Sequence, residues 1–488
     1  LEQLEPKTLW SEFFDICKIP HGSGNLDQLK QFLRNKAEAK GFKCIDDGFA
    51  GNLLIIKEAD KGYENAPTIC LQGHLDMVCS KRSDSKHDFQ KDPIIPRIAE
   101  VDGKKVVIAT GTTLGADNGM GVSAALAFIF DKTIQSGRIE VLCTKDEEST
   151  MHGVQNIQPD LLKAKYLLNL DSEDIGVITI GSAGGFCGEV EFPKLTCQQE
   201  ASLLKVKLFN CSGGHSGVDI HLYKANAIKQ LNRILALSVK FGSKLSYING
   251  GTADNAIPMD AEAAIFIAEE NVEQFLVEFK ILAENIKNEF KTTDKQMEIV
   301  VERENSLQMF ISIEQTKKMV DFIQNIPSQV LRMSQDVEGL TESSINLGIL
   351  RFTALEGGKA VILARSSINS FLPAINSQMQ SLCDLAGYAY EGNKDAYGGW
   401  APNVHSPLLK ATKKHYASVL NMKEEEIKVE AIHAGLECGE IIAKYPHIEA
   451  VSIGPTIKNP HSDRELCEID SVAPFYECVK KVILELSK

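Results

Sequence analysis

In Thr68-Ile69-Cys70-Leu71-Gln72-Gly73-His74-Leu75-Asp76 an apolar run leads straight into a histidine and an aspartate two residues apart. At strand spacing the side chains of His74 and Asp76 point the same way. A carboxylate so placed can steer a metal-binding imidazole, fixing its tautomer and raising its basicity. For an isolated His-x-Asp the ordinary alternative is a surface histidine that merely satisfies a hydrogen bond. The neighbourhood decides between them. Residues 53–56, 139–143 and 166–170 are further short apolar runs suited to buried strands, and 26–40 and 119–131 carry helical patterns between them. Strand alternating with helix predicts an α/β layer with a mixed, largely parallel sheet flanked by helices, whose chemistry gathers at the carboxyl ends of its strands. The polar clusters follow those ends: His74 and Asp76 after one, Asp146-Glu147-Glu148 after another, Asp171 after a third.

Beyond residue 185 the texture changes. Alternating strand patterns appear at 201–210 and 261–268, and helical ones at 225–237, 272–290, 316–326 and 370–385. This predicts an α+β insert, a lid, with signs of duplication. One half holds Asn255-Ala256-Ile257-Pro258 before a strand, the other Ser344-Ile345-Asn346 with strands at 347–352 and 360–364. Strands at 429–432 and 450–453 and a closing helix at 473–487 return to α/β character. The predicted architecture is a discontinuous catalytic domain, residues 1–185 and 395–488, interrupted by a lid domain at 186–394.

Composition narrows the chemistry. The 488 residues exceed one ordinary core, and 43% hydrophobic with 24% charged residues is a globular profile. A net charge of -14 without a basic tail speaks against nucleic acid or an anionic membrane as partner. The 12 cysteines form no C-x-x-C pair, so they are expected as buried free thiols of a reducing compartment. The acidic, amphipathic start has neither the basic region nor the apolar core of a signal peptide, and the apolar run 122–130 is too short to span a membrane. The expected setting is soluble and cytoplasmic.

Two further clusters matter. In Gly115-Ala116-Asp117-Asn118-Gly119-Met120-Gly121 glycines crowd one acid before an alanine-rich helix; taken alone, Asp117 is an ordinary helix cap. Adjacent Glu147 and Glu148 after a strand usually form a solvated, turn-capping charge cluster; the functional alternative is that in extended structure they point opposite ways, so that one can bind metal while the other polarises a water. Asp171 ends a strand, and His461 lies in the turn-rich Asn459-Pro460-His461-Ser462. Together these supply two histidines and several carboxylates, a set suited to zinc, cobalt or manganese.

The order His74-x-Asp76, Gly-Ala-Asp117-Asn118-Gly, Glu147-Glu148, Asp171 and a late His461 resembles the aminoacylase, carboxypeptidase G and carnosinase family of co-catalytic zinc peptidases across nearly the whole chain. Asn-Pro-His461-Ser and Gly-Gly-His215-Ser-Gly resemble the branch that cleaves Xaa-His dipeptides. The resemblance implies two Zn2+ per chain, replaceable by Co2+ or Mn2+. His74 and Asp171 would hold one, Glu148 and His461 the other. Asp117 would bridge them, with a cis peptide toward Asn118. Asp76 would steer His74, and Glu147 would be the general base for a water attacking a peptide bond. His215 would stabilise the tetrahedral intermediate from the lid, and Asn255 would contact substrate. Arg365 would take the substrate's terminal carboxylate, against the alternative of a surface arginine. Gly435 and Glu437 would touch substrate or the groups behind the metal ligands, against the alternative of a plain turn.

The implied partner is a small peptide. Family members with short lids borrow the lid histidine from a second subunit; the long insert here favours supply within one chain, with a homodimer still open. Asp171, where deacylases of the family more often carry Glu, favours peptide cleavage over N-acyl removal. A tripeptide aminopeptidase or an N-acyl-amino-acid deacylase is the rival enzyme. A nucleotide- or metabolite-binding protein is the rival of another class, but Gly181-Ser182-Ala183-Gly184-Gly185 fails the dinucleotide spacing.

Overall fold

The apolar runs form strands because both faces of their sheet are covered, which favours continuous rather than alternating hydrophobicity. The computed structural model describes residues 3–200 and 203–488. The chain divides into two units. Unit 1 is the chain up to Gly181 with Trp400–Ala431 and Leu436–Lys488; unit 2 is Ser182–Gly399 with Ile432–Gly435.

Unit 1 is built on β1 (Lys43–Asp46), β2 (Leu53–Lys57), β3 (Ile69–His74), β4 (Ile139–Thr144), β5 (Tyr166–Asn169), β6 (Val177–Ser182), β7 (Lys428–Ile432) and β8 (Glu449–Ser452), in the order β1-β2-β4-β3-β5-β8-β6-β7. Every residue of β2 to β5 is buried. Alternate side chains enter different cores. Leu53, Ile55, Leu71 and Val141 join the core that includes the helix Ala116–Phe130, while Leu54, Ile56, Cys70 and Leu142 pack with Trp400, Ile441 and Tyr445. The sheet is mixed. β4, β3, β5 and β8 run parallel, but β1 and β2 form a hairpin, β2 is antiparallel to β4, and β6 to β8. The mixed sheet of the sequence expectation is thus observed, with its parallel strands at the centre, and that centre sends the carboxyl ends of β3, β4, β5 and β8 to one side.

Unit 2 contains two βαββαβ halves. The first runs Leu203–Phe209, helix Ala227–Val239, Lys244–Gly250, Ala261–Phe266, helix Glu269–Glu289, Glu298–Glu304. The second begins at Gly184–Phe192 and resumes with helix Ile313–Asn325, Thr341–Thr353, Gly357–Ser366, helix Leu372–Ala386 and Ala389–Tyr397. In both, the strands lie in the order fourth, first, third, second, and the halves join through their second strands, Lys244–Gly250 against Thr341–Thr353. All four helices contribute to one core, through Leu231, Phe275, Met319 and Ile375. The duplication expected from sequence is visible in this topology, but the segments paired there are not equivalent. Asn255 lies between second and third strands, whereas Ser344–Asn346 lies inside a second strand. Of the strand expected at 201–210, residues 201 and 202 lie outside the described residues.

The unit boundaries differ from those read in the sequence. The strand Ala389–Tyr397 pairs with Gly184–Phe192, which keeps residues 395–399 in unit 2. The amide of Ala183 donates to the carbonyls of Ile432 and Ala434, which draws Ile432–Gly435 there too.

Candidate functional site

The carboxyl ends of the central strands bring His74, Asp117, Glu148, Asp171 and His461 of unit 1 together. His74 ends β3, Glu147 and Glu148 open a short helix after β4, and Asp171 follows β5. Asp117 stands at the start of the helix Ala116–Phe130, and its peptide bond to Asn118 is cis, as expected. This helix lies close under β5: a Cβ on Gly121 would stand 2.2 Å from the Leu170 carbonyl. Asn118 Nδ2 donates to that same carbonyl at 2.7 Å.

Asp117 sits between the two imidazoles. Its Oδ1 is 3.1 Å from His74 Nε2 and its Oδ2 is 3.2 Å from His461 Nε2. Asp171 Oδ1 lies 3.3 Å from His74 Nε2, and Glu148 Oε2 lies 3.0 Å from His461 Nε2. Ligand atoms of His74, Asp117 and Glu148 lie within 4.8 Å of one another. The pairing implied by the family resemblance is thus the pairing of neighbours in space.

These groups fit cations. His74 Nδ1 bonds the Asp76 carbonyl at 2.9 Å, so Nδ1 carries a proton and Nε2 turns toward two carboxylates. Glu148 Oε1 is buried without a hydrogen-bond partner, and Asp171 Oδ1 has only the His74 ring nitrogen, at 3.3 Å. A buried carboxylate oxygen left unpaired is costly, and positive charge between these groups removes the cost. Without a cation the imidazoles supply that charge as protons. His461 is pushed up to about 10 by hydrogen bonds to Asp117 and Glu148. His74, despite burial, is held well above its ordinary value by Asp171, Asp117 and Asp76. Burial and the neighbouring acids Asp117 and Glu147 keep Asp171 well above the usual carboxylate range, against the pull of His74. For Asp117 burial is outweighed by the bonds from His461 and His74, and it falls below that range.

Asp76 acts differently from the sequence expectation. Its carbonyl takes the short hydrogen bond from His74 Nδ1, and its carboxylate acts on the same nitrogen from 3.6 Å, as charge rather than as a direct acceptor. The carboxylate accepts instead from Ser23 Oγ (2.7 Å) and the amides of Glu147 (3.0 Å) and Glu148 (3.2 Å). Chain curvature after β3 makes the difference, because strict strand alternation ends at His74. Glu147 and Glu148 are likewise not extended: Asp146 takes a left-handed φ of 57° and the two acids start a helical turn. Burial pushes Glu147 up to about 7, with His74 pulling it down and Glu148 and Asp117 pushing it up.

Glu437 does not line an open surface. It is 1% exposed and accepts from Gln72 Nε2 at 2.5 Å and Thr144 Oγ1 at 2.8 Å, beneath the strand ends. Gln72 in turn accepts from Asn169, which accepts from Ser452. That placement matches the second of its two expected roles, behind the metal ligands, and it supports the strands that carry the cluster.

Unit 2 holds the remaining residues. His215 lies on a two-residue strand paired with Ala256–Ile257, next to the exposed Asn255, whose carbonyl accepts from Ser216 N at 2.8 Å. His215 Nδ1 accepts the amides of Gly217 and Val218, each at 3.2 Å, so the ring proton resides on Nε2. Arg365 is 5% exposed, not a surface arginine. Its Nη1 donates to Tyr397 Oη at 2.8 Å and its buried Nε has no partner. Gly435 packs on the Tyr397 ring, where a Cβ would meet Cε2 at 3.0 Å. Sequence reasoning passed over Tyr397, Ser344 and His433. Ser344 Oγ and His433 Nε2 are 2.7 Å apart, and nothing in their local sequence marks them. It also passed over Ser23 and Glu465; the latter, four residues beyond His461, was within reach of the motif.

The sequence profile of peptidase family M20/M25/M40 matches residues 70–485. The chain belongs to this family. Among family proteins it is 37% identical to the cytosol non-specific dipeptidase of Escherichia coli K12, over 100% of this chain and 99% of that one. Aminoacylhistidine dipeptidase of Vibrio alginolyticus superposes with a TM-score of 0.92 at 36% identity, covering 99% and 97% of the two chains. An aminopeptidase of Bacillus cereus shares the fold, with a TM-score of 0.55 at 16% identity over 99% of this chain and 100% of that one. Among the described residues no helix is long and apolar enough to cross a membrane.

Proposed function

We propose that this chain is a metal-dependent dipeptidase that cleaves Xaa-His and related dipeptides in the cytoplasm. The observation that carries the reading is Asp117, held between two imidazoles that each face a second carboxylate. The full-length relatives support the reaction and compartment: one is named a cytosol dipeptidase, the other an aminoacylhistidine dipeptidase.

In this reading His74, Asp171, Glu148, His461 and the shared Asp117 would hold two Zn2+. Bound there, divalent cations would polarise a scissile carbonyl and acidify water. The protein's own residues do the rest. Glu147, its backbone amide tied to Asp76, takes a proton from the attacking water onto its carboxylate and passes it to the departing amine. His215 offers an N–H at Nε2 to a developing oxyanion. Arg365 offers its unpaired Nε to the terminal carboxylate of the substrate, and Asn255 and Gly435 line the substrate on unit 2.

Metal-replete protein is to be assayed on dipeptides with and without a second-position histidine, carnosine included, and on tripeptides and N-acyl amino acids. Dipeptide hydrolysis that stops on chelation and returns with Zn2+ is the expected result. Deacylation with no dipeptide cleavage overturns the assignment. Equal rates on all dipeptides remove the histidine preference alone.

A further inference from the structure

Glu465 is a carboxylate 2% exposed, with no lysine or arginine paired to it. Its Oε2 accepts from the amides of Leu114 (2.7 Å) and Gly115 (3.0 Å), and its Oε1 from those of Ala116 (2.8 Å) and Asp117 (3.2 Å). Four consecutive N–H groups converge on one side chain. Such a concavity requires a left-handed residue, supplied by Gly115 at φ 70°. The helix that follows has no local side-chain cap. Two of the four amides, however, precede the helix, and the last belongs to Asp117 itself. At its other end Glu465 closes the turn of His461, its amide donating to the Ser462 carbonyl at 3.1 Å, before the strand Leu466–Glu468 pairs with Lys104–Ala109.

We propose that Glu465 is a positioning residue for the metal cluster: by clasping the amides of 114–117 it sets the Asp117 carboxylate against His461 across two loops far apart in sequence. This rests on the reading of Asp117 as the residue shared by two cations. The carboxylate has the right form for the task. Both oxygens must accept, so glutamine, with an NH2 facing two N–H donors, breaks half the clasp at unchanged size. Aspartate keeps the charge but withdraws it by one methylene.

Zn2+ affinity is to be measured by competition with a chromophoric chelator, and the visible spectrum of the Co2+-loaded protein recorded, for wild type, Asp117→Asn, Glu465→Gln and Glu465→Asp. Loss of this outer support is expected to weaken Zn2+ binding by about 10- to 100-fold and to alter the Co2+ bands. A Glu465→Gln protein that is less heat-stable yet binds Zn2+ as wild type with an unchanged Co2+ spectrum is merely missing a helix cap, which overturns the inference. If Asp117→Asn loses affinity and the Glu465 variants do not, the inference falls and the functional reading stands. Wild type that binds no Zn2+ overturns both. Should neither Glu465 variant fold, hydrogen exchange of amides 114–117 in wild type decides: protection with and without Zn2+ supports the clasp, and exchange as fast as in exposed loops overturns it.

Discussion

The two units leave opposite charges unanswered in their interiors. In unit 1 the unpaired buried atoms near the strand ends include carboxylate oxygens, Glu148 Oε1 and Glu437 Oε1. In unit 2 the charged one is a nitrogen, Arg365 Nε. Burial is expensive for polar groups of either kind unless they are paired. The first set calls for cations and the second for an anion, and a dipeptide's carboxylate is such an anion. A protein folded only for stability has little reason to keep either, since apolar packing of the same volume serves as well.

The contrast can be broken most severely at Glu147. Glu147→Gln keeps size and burial but cannot accept a proton, and kcat is expected to fall about 10^2- to 10^4-fold. Metal content by atomic emission should stay at the wild-type level. A full-rate variant would remove Glu147 from the chemistry and leave unit 1 only a cation site.

Arg365→Met tests the other half. Removing a buried charge that binds a substrate carboxylate is expected to cost about 2–3 kcal/mol, or roughly 30- to 150-fold, seen mainly in KM. Dipeptide amides, which lack that carboxylate, should show no such penalty. The substrate-free variant should unfold no earlier than wild type, because an uncompensated charge has left the interior. Early unfolding without a KM effect would make Arg365 a structural residue.

The smallest effect is one of pH. Burial, helped by Arg365, His215 and His221, lowers His433 to about 3, so it is neutral in the folded protein. The unfolded chain takes up the proton from about pH 6.5 downward. Between these values the unfolded state binds more protons, and stability must fall as pH falls, by at most about 1.4 kcal/mol per pH unit from this group. Denaturant unfolding followed between pH 7 and 5 should show a shallower loss in His433→Gln than in wild type; parallel curves would show that His433 keeps its proton elsewhere.

The site was legible in the sequence where chemistry coincides with a strand end. His74, Glu147 and Asp171 follow β3, β4 and β5. The same local reading misled wherever an orientation depended on neighbours. It assigned the Asp76 carboxylate to His74 alone, when that carboxylate, 3.6 Å from the ring, also caps the turn of Glu147 and Glu148. It left Glu437 between the substrate and the groups behind the metal ligands, and only the fold ties it to Gln72 and Thr144. It also returned residues 395–399 to the first domain, because edge-strand pairing with Gly184–Phe192 leaves no mark in residues 389–397.

By itself the sequence determined the alternation of strands and helices, the residue types available for metal and proton chemistry, and their order. These follow from side-chain periodicity and turn preferences, which act over a few residues. Only the tertiary structure decided which oxygen meets which nitrogen. Asp117 meets His461 344 residues away, and Glu465 meets the amide of Leu114 351 residues away. Pairings at such separations depend on where the packed sheet and helices leave each loop, and no local pattern carries that information.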